Sequence, residues 1–317
     1  MAEAAAQSSA MRRRETACAK VNFGLRVLGR RADGYHLIES VLVPVDLADE
    51  ISVEVAPSRD SRVDFECRVA PDAEGVEGFP EGKSNLAVQA ADAFLKESRR
   101  PLAVSLRLLK RIPVAAGLGG GSSDAGAVLR ALDALVPGAL APHQLASLAL
   151  SLGADVPFFL APGAARVEGV GERLSPIRGF PELSLVLANP GEGLSTGSVF
   201  EAWDSLAPAL TAADPGSTLR SLSDWLGLDP GDSARRKLRL REVLENDLEE
   251  SARRLCPSID RIQRALLEWG ADGVGLSGSG ATSFGVFASE SKAKEAIRQF
   301  ALRGDGWARL ARTLPGR

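Results

Sequence analysis

The sequence has little of the chemistry that often identifies a protein at once: its 317 residues include three cysteines, two histidines and one tyrosine. The cysteines, Cys18, Cys67 and Cys256, are odd in number and lack metal-ligand spacing, so they indicate neither a disulfide framework nor a zinc site. No apolar run approaches the roughly 18 residues needed to span a bilayer. The formal net charge of -3 lacks the basic excess of a general nucleic-acid-binding protein. We therefore expect a cytoplasmic protein that binds neither membrane nor nucleic acid.

The first 15 residues also lack the apolar core of a signal peptide. They are rich in alanine and serine and contain three consecutive arginines, Arg12 to Arg14. We expect a disordered extension over residues 1–15, with no assigned function. The remaining length suffices for two domains with sizeable cores. A join rich in proline and glycine at residues 161–163 sets the predicted boundary between an N-terminal domain over 16–163 and a C-terminal domain over 164–317.

Hydrophobic periodicity predicts strands and helices without an internal repeat. Before the boundary we expect strands over 17–28, 37–45, 51–55 and 102–109, and helices over 85–96, from a glycine-rich loop to about 135, and over 142–152. Beyond it we expect strands over 183–188, 273–276 and 282–287, helices over 198–206, 237–255, 258–269 and 292–302, and a variable connection over 207–234. This order indicates two domains that layer helices on strands.

The most informative segment is the glycine-rich loop over residues 113–124, Pro-Val-Ala-Ala-Gly-Leu-Gly-Gly-Gly-Ser-Ser-Asp, between a predicted strand and a predicted helix. Four glycines let a ligand approach the backbone where a Cβ would collide with it, which would explain why glycine occurs four times in this loop. The first turn of the helix offers backbone N–H groups and partial positive charge, which suit a phosphate. The loop lacks the Gly-Lys-Ser/Thr of a Walker loop and the third glycine of a dinucleotide fingerprint. A flexible turn without a ligand is the alternative.

Three separated segments together resemble the GHMP superfamily of small-molecule kinases, which includes galactokinase and the homoserine, mevalonate and phosphomevalonate kinases. They are Ala19-Lys-Val-Asn22, the loop over 113–124, and Leu276-Ser-Gly-Ser-Gly-Ala281. Three more segments, over 31–36, 152–158 and 245–249, are most similar to the branch that acts on a cytidine diphosphate-linked methylerythritol. The resemblance extends from about Thr16 to at least Phe287. One departure lies in the loop, where Ala115 stands at a position that is commonly glycine in the family.

The resemblance implies an α/β protein of the α+β type, with a two-domain GHMP kinase fold: an N-terminal ATP-binding domain and a C-terminal ferredoxin-like substrate domain. The expected reaction is ATP-dependent phosphorylation of the 2-hydroxyl of the cytidine diphosphate-linked methylerythritol, a step in the non-mevalonate route to isoprenoids. Magnesium (Mg2+) is implied by the use of ATP, because it offsets charge between phosphates. The sequence assigns no metal ligands, and it does not distinguish a monomer from a homodimer.

By the same resemblance, two further residues accompany the loop at the nucleotide. The implied nucleotide-binding residues are Asn85, Lys110, Pro113, Gly117, Leu118, Gly119, Gly120, Gly121, Ser122 and Ser123. For Lys110 the alternative is a solvated charge, and for Asn85 it is a helix cap. The second glycine-rich turn, Ser277-Gly-Ser-Gly280, is expected to pack against the loop and to orient the substrate phosphates.

Asp155 is the predicted general base. It follows the helix-ending Gly153 in an otherwise apolar stretch, where a carboxylate must find a partner or change its pKa. A turn aspartate without a catalytic role is the alternative. The family pairs this aspartate with a lysine that matches Lys20, which lies in an apolar strand pattern where an unpaired lysine would be costly.

On the substrate side, the resemblance implies that His36 hydrogen-bonds the cytosine edge, that Tyr35 packs on the base, and that Phe200 lies on the other side of the ring. Asn22 and Asp155 would approach the erythritol hydroxyls. A histidine without a special role and a core phenylalanine are the ordinary alternatives for His36 and Phe200. The rival functions are another kinase of the superfamily, a non-catalytic nucleotide sensor on the same fold, and a nicotinamide-dependent dehydrogenase.

Overall fold

The computed structural model describes residues 10–206, 214–229 and 231–315. Within these ranges the chain forms ten strands and nine α-helices. The strands are β1 Met11–Arg30, β2 His36–Pro57, β3 Arg62–Val69, β4 Leu102–Lys110, β5 Ala165–Gly169, β6 Arg173–Pro176, β7 Ser184–Asn189, β8 Gly273–Leu276, β9 Ser283–Phe287 and β10 Trp307–Arg312. The helices are α1 Leu86–Ser98, α2 Gly120–Leu135, α3 Pro142–Leu152, α4 Thr196–Leu206, α5 Ser217–Leu226, α6 Ser233–Val243, α7 Glu249–Leu255, α8 Ser258–Glu268 and α9 Glu290–Arg303. Not one of these helices has the length and apolar character to cross a membrane.

The chain divides into two compact units, each assembled from several segments. The first contains the described residues before Cys18, Ala48–Ile112 and Gly120–Ala161. The second contains Cys18–Leu47, Pro113–Gly119 and the residues from Pro162 onward. The division differs from the two contiguous domains expected from the sequence, and the boundary after residue 163 stays a prediction.

In the first unit, β4 pairs antiparallel with the second half of β2 and parallel with β3. The inward side chains of these strands pack against α1 and α2 in one hydrophobic core. Along β4, side chains alternate between the two faces of the sheet, and the buried positions are Val104, Leu106, Leu108 and Lys110. The alternation that places three apolar side chains in the interior therefore places a lysine there too.

The second unit contains a four-stranded antiparallel sheet in the order β10-β7-β9-β8. Its strands and two of its helices follow one another as β7, α8, β8, β9, α9 and β10, the β-α-β-β-α-β order of a ferredoxin-like domain. Buried side chains of β7, α8, β9 and α9 form its core, among them Val186, Leu266, Phe287 and Phe300. The expected fold class, with a ferredoxin-like C-terminal part, is confirmed.

Residues 11–15, which we expected within a disordered extension over 1–15, instead lie in β1, which begins at Met11. Glu15 accepts a hydrogen bond from Arg130 of α2 at 3.0 Å, and Arg130 also donates to the carbonyl of Thr16 at 2.9 Å. The strand was not expected from the sequence, because Arg130, which anchors Glu15, lies 115 residues away. Residues 1–9 lie outside the described residues.

Two other element predictions change in the structure. The strands predicted over 37–45 and 51–55 form the single strand β2. The helix predicted over 237–255 is interrupted, since α6 ends at Val243 and α7 begins at Glu249. In the interruption, the side chain of Asn246 accepts the backbone N–H of Leu248 at 2.9 Å. The connection over 207–234 is only partly described, and its described part contains α5.

Close packing inside the first unit gives a stability prediction at Gly126 of α2. A Cβ at this position would lie 2.6 Å from Cβ of Phe159 and 3.0 Å from its carbonyl carbon. We expect Gly126→Ala to lower the free energy of unfolding by about 1–3 kcal/mol, although alanine favours a helix more than glycine does. Urea unfolding followed by circular dichroism measures this change.

The matched control is Gly163→Ala, because a Cβ at that position would meet nothing within 4 Å. Its unfolding free energy should stay within about 0.5 kcal/mol of the wild-type value. An alanine at position 126 that stabilises the protein would contradict the packing described for α2.

Candidate active site

Lys20 lies in β1 within the second unit and is only 4% exposed. Its Nζ donates to Oδ1 of Asn22 and to the backbone carbonyl of Gly117, both at 2.8 Å. Asn22 in turn donates to Oγ of Ser40 at 2.8 Å. An ammonium group removed from water needs such acceptors. The predicted catalytic lysine and the predicted substrate residue Asn22 therefore belong to one hydrogen-bonded group.

The carbonyl of Gly117 also accepts a hydrogen bond from Oγ of Ser277 at 2.9 Å. The second glycine-rich turn thus packs against the loop, as expected from the sequence. A Cβ at position 117 would lie 2.3 Å from the carbonyl oxygen of Ser277, and the backbone there has a φ of +75°. Both facts require glycine, and neither involves a ligand.

Other positions of the loop show the same kind of constraint. A Cβ at Gly120 would lie 2.9 Å from Cγ2 of Ile112 and 3.1 Å from Nζ of Lys110. Ala115 has a φ of +51°, in the region that favours glycine, which explains why the family commonly has glycine there. At Gly117 and Gly120, neighbouring protein atoms thus leave no room for a Cβ. This corrects our expectation that a bound ligand is the steric reason for all four glycines.

The second glycine-rich turn is held in place by Asn246. Its amide nitrogen donates to the carbonyl oxygens of Leu276 at 3.0 Å and of Gly278 at 2.8 Å. A Cβ at position 278 would lie 3.1 Å from Nζ of Lys20, so the turn passes directly beside the lysine. Asn246 therefore positions the turn that borders the predicted catalytic group.

In the first unit, a second buried lysine lies between two carboxylates. Nζ of Lys110 donates to Asp49 and, at 2.8 Å, to Oδ2 of Asp124. Asp49 also accepts the backbone N–H groups of Arg111 and Ile112. This ion triad of Asp49, Lys110 and Asp124 ties the end of β4 to α2. Lys110 is therefore not a solvated charge, and its contact with a nucleotide stays a prediction.

The charges of the ion triad are unbalanced, because one ammonium faces two carboxylates. Burial raises the pKa of Asp124 well above its ordinary value; Lys110 opposes this shift and Asp49 reinforces it. Oδ1 of Asp124 accepts no hydrogen bond from the part of the chain that the structure describes. Burial acts to lower the pKa of Lys110, but the two carboxylates outweigh it and raise that pKa. Burial therefore favours the protonated form of Asp124.

Asn85 is the N-cap of α1. Its Oδ1 accepts the backbone N–H of Ala87 at 2.9 Å, and its Nδ2 donates to the carbonyl of Pro80 at 2.9 Å. The helix-cap alternative for this residue is confirmed, and a nucleotide contact stays a prediction.

The remaining loop residues form the start of α2 and the turn before it. Gly120, Gly121, Ser122 and Ser123 make up the first helical turn, where Ser122 is half-buried and Ser123 is buried. Of the residues before the helix, Pro113 and Leu118 are buried and Gly119 has a φ of +72°. Such a first turn presents backbone N–H groups and suits an anion.

Asp155 lies in the turn between α3 and a short 3-10 segment, Pro157–Leu160. The turn is closed by a hydrogen bond from the backbone N–H of Val156 to the carbonyl of Gly153 at 3.1 Å. The Asp155 side chain is half-buried. Its role as a base stays a prediction.

His36 begins β2 and lies among aromatic side chains of α4 within the second unit. Its ring stacks on that of Phe200, with centroids 4.5 Å apart and planes at 17°, and the ring of Trp203 meets it edge-on at 5.5 Å. Nε2 lies 2.7 Å from Oδ1 of Asp204. The structure thus brings His36 and Phe200 together, whereas Tyr35 is 66% exposed.

Sequence reasoning missed Asp49, Asp204 and the role of Asn246. For the ion triad a signal existed, because Lys110 falls at an inward position of a strand with period 2, and a buried lysine needs carboxylates. Asp124 gives the same signal from an apolar helix. Nothing local marks Asp204, since it meets His36 only in the folded chain, across 168 residues.

Comparison with known proteins identifies the family of the chain. The profile of the GHMP kinases N terminal domain matches residues 85–163, and that of the GHMP kinases C terminal matches residues 232–305. The fold also matches a crystal structure of Leishmania major mevalonate kinase with a TM-score of 0.70 at 17% identity, covering 98% of each chain. The protein belongs to the GHMP kinases.

Within this class, relatives that share one name are similar to the chain over nearly its whole length. A 4-diphosphocytidyl-2-C-methyl-D-erythritol kinase of Citrifermentans bemidjiense is 39% identical over 91% of this chain and 94% of its own length. That of Paracoccus denitrificans is 39% identical over 94% and 95% of the two chains. A crystal structure of 4-(cytidine 5'-diphospho)-2C-methyl-D-erythritol kinase is 36% identical, has a TM-score of 0.74 and covers 96% of this chain and 100% of its own. The family to which the chain belongs is therefore that of the 4-diphosphocytidyl-2-C-methyl-D-erythritol kinases.

The ion triad leads to a prediction about which of its members the fold can lose. Lys110→Met leaves two buried carboxylates without their cation, and we expect the free energy of unfolding to fall by about 3–5 kcal/mol. Asp124→Asn leaves one ammonium with one carboxylate and should cost much less. Urea unfolding at neutral pH measures both changes.

Lys96→Met is the matched control, because Lys96 is an exposed lysine of α1 in the same unit. Its unfolding free energy should stay within about 0.5 kcal/mol of the wild-type value. Equal stabilities of Lys110→Met and Lys96→Met would contradict the role assigned to the triad.

Proposed function

We propose that this chain transfers the γ-phosphoryl group of ATP to the 2-hydroxyl of 4-diphosphocytidyl-2-C-methyl-D-erythritol. The observation that carries the proposal is 39% identity to kinases of that name along nine-tenths of the chain. We also propose a reducing compartment, the cytoplasm, since all three cysteines are thiols. The acceptor is a small molecule.

The nucleotide is proposed to bind with its phosphates at the glycine-rich loop. Backbone N–H groups at the start of α2, together with the hydroxyls of Ser122 and Ser123, would donate hydrogen bonds to the phosphates, as helix N-termini commonly do for anions. The ion triad fixes the end of β4 and the first turns of α2. Pre-arranged donors of this kind stabilise charge on the transferred phosphoryl group without reorganising during the reaction.

We propose that magnesium binds together with ATP. Among the residues that the structure describes, no cluster of three or more His, Cys, Asp or Glu side chains could hold a metal ion. One serine hydroxyl, of Ser122 or Ser123, together with phosphate oxygens is a donor set that fits a cation held mainly by the nucleotide. When bound, the ion offsets negative charge on the phosphates.

Asp155 and Lys20 are proposed to act on the acceptor hydroxyl. Asp155 takes the proton of the 2-hydroxyl while the oxygen of that hydroxyl bonds to the γ-phosphorus. At the same time, the bond between the γ-phosphorus and the bridging oxygen breaks, and ADP leaves with that oxygen. Lys20 supplies a fixed positive charge, because Asn22 and the carbonyl of Gly117 hold its ammonium group in one place. A fixed charge stabilises the forming alkoxide better than a mobile one.

The cytidine end is proposed to bind beside His36. A base that hydrogen-bonds the edge of an imidazole lies close to the plane of that ring. Since Phe200 stacks parallel to His36, its ring is also nearly parallel to such a base and can contact one face of it. Tyr35, which is largely exposed, is then available to cover the opposite face of the base.

Incubation of the purified chain with Mg-ATP and 4-diphosphocytidyl-2-C-methyl-D-erythritol tests the function. Release of ADP and a new phosphomonoester signal in the phosphorus NMR spectrum are expected. ATP binding without transfer to this acceptor would overturn the substrate assignment, and homoserine and mevalonate would then be tested as acceptors.

The catalytic pair is tested by Asp155→Asn and Lys20→Ala. Loss of a general base typically lowers turnover by about 10²–10⁴-fold, and we expect kcat to fall at least that far while calorimetry shows retained binding of a non-hydrolysable ATP analogue. Asp92→Asn, an exposed aspartate of α1, is the control and should leave kcat unchanged. Normal turnover of Asp155→Asn would remove Asp155 from the role of base.

A further inference from the structure

The carboxylate of Asp204, on α4, bridges two side chains that the proposed mechanism does not explain together. Its Oδ1 lies 2.7 Å from Nε2 of His36, and its Oδ2 lies 3.1 Å from a guanidinium nitrogen of Arg30. All three residues belong to the second unit. Arg30 also donates through Nε to the carbonyl of Gly34 at 3.1 Å, in the turn that precedes His36. The carboxylate therefore has a fixed position relative to the imidazole.

The imidazole itself has little freedom. Its side chain is only 8% exposed, its face stacks on Phe200, and Trp203 meets it edge-on. Stacking fixes the plane of the ring, and the carboxylate fixes its rotation within that plane. A buried ring held in both ways presents the same atoms to any ligand.

A carboxylate only accepts hydrogen bonds, so the proton between His36 and Asp204 is carried by Nε2 of the histidine. In a neutral imidazole with a proton on Nε2, the other nitrogen, Nδ1, is an acceptor. Arg30 pairs with the other oxygen of the same carboxylate. Of the two neutral tautomers, the contact with Asp204 therefore selects the one that carries its proton on Nε2.

We propose that Asp204 is a specificity-determining positioning residue that makes Nδ1 of His36 an acceptor and so selects cytosine over uracil. This inference rests on the proposed function. Cytosine offers an amino group, N4–H₂, at the position where uracil has the carbonyl oxygen O4. An accepting Nδ1 pairs with the amino group, whereas it would face O4 lone pair to lone pair.

Asp204→Asn should invert this preference. Arg30 only donates, so the amide oxygen of the new side chain turns toward the guanidinium and the amide NH₂ turns toward Nε2. Nε2 must then accept, the proton moves to Nδ1, and the histidine presents a donor that suits O4 of uracil. Asp204→Ala removes the constraint without imposing the opposite one.

The kinetic experiment compares kcat/KM for the cytidine and the uridine diphosphate-linked methylerythritol. The cytidine preference should fall about 10- to 100-fold in Asp204→Asn, the range expected for one mismatched buried polar pair, and by less in Asp204→Ala. The change should appear in KM for the nucleotide-linked substrate, with KM for ATP unchanged. Glu201→Gln, an exposed acid on the same helix, is the matched control and should retain the wild-type preference.

A second readout does not depend on catalysis. The chain has only two histidines, so ¹⁵N NMR of the imidazole nitrogens reports the tautomer of His36 directly, with His143 as the internal reference. The inference requires the Nε2–H form in the wild type and the Nδ1–H form in Asp204→Asn. An Nδ1–H form or an imidazolium in the wild type at neutral pH would overturn it.

An unchanged cytidine preference in a folded Asp204→Asn protein would overturn the selectivity role as well. A chain that shows the Nε2–H form but phosphorylates neither substrate would instead overturn the proposed function, and the claim about cytosine with it. The two failures are therefore distinguishable.

Discussion

The carbonyl group of Gly117 is the acceptor on which the second unit's arrangement of functional groups depends. It accepts hydrogen bonds from the ammonium of Lys20 and from the hydroxyl of Ser277, two residues that are 257 positions apart in the sequence. A buried ammonium without acceptors would be costly enough to disfavour the fold or to lose its proton. One backbone oxygen therefore holds the ammonium of Lys20, together with Asn22, and links the loop to the second glycine-rich turn.

This constraint changes how the glycines of a phosphate-binding loop are interpreted. From the sequence, we expected these glycines to make room for a ligand, because a loop with four glycines allows a phosphate to approach the backbone closely. In the fold, Gly117 leaves space for the carbonyl of Ser277, and Gly120 leaves space for Ile112 and Lys110. The glycines thus bring protein groups together before any nucleotide binds, which agrees with a site whose donors are pre-arranged.

The sequence was sufficient for the fold class, the ferredoxin-like part and the family, because these depend on hydrophobic period and on motifs that are contiguous. It also predicted that Lys20 lies in a strand and needs partners there, and that a helix begins in the loop. It was insufficient wherever a residue acts through a distant partner: Asp49 meets Lys110 only through the register of β2 and β4, and Asn246 meets the turn only after α6 has ended. Periodicity predicts which side chains point inward, but it does not state which carboxylate a buried lysine will find. The expectation for residues 11–15 was wrong for the same reason, since Glu15 gains its partner from α2.

The hydrogen bond between the Lys20 carbonyl and Ser277 spans most of the chain, and its consequence concerns synthesis rather than chemistry. Contacts of such long sequence separation form late, because the intervening chain must first be made and closed. On the ribosome, the N-terminal strand that holds Lys20 emerges long before the turn that borders it, at roughly 5–20 residues per second. The hydrogen bond from the Ser277 hydroxyl to the Lys20 carbonyl therefore cannot form until nearly the whole polypeptide has been translated. A nascent chain truncated before the second turn would contain every residue proposed for nucleotide binding and still lack the turn that borders Lys20.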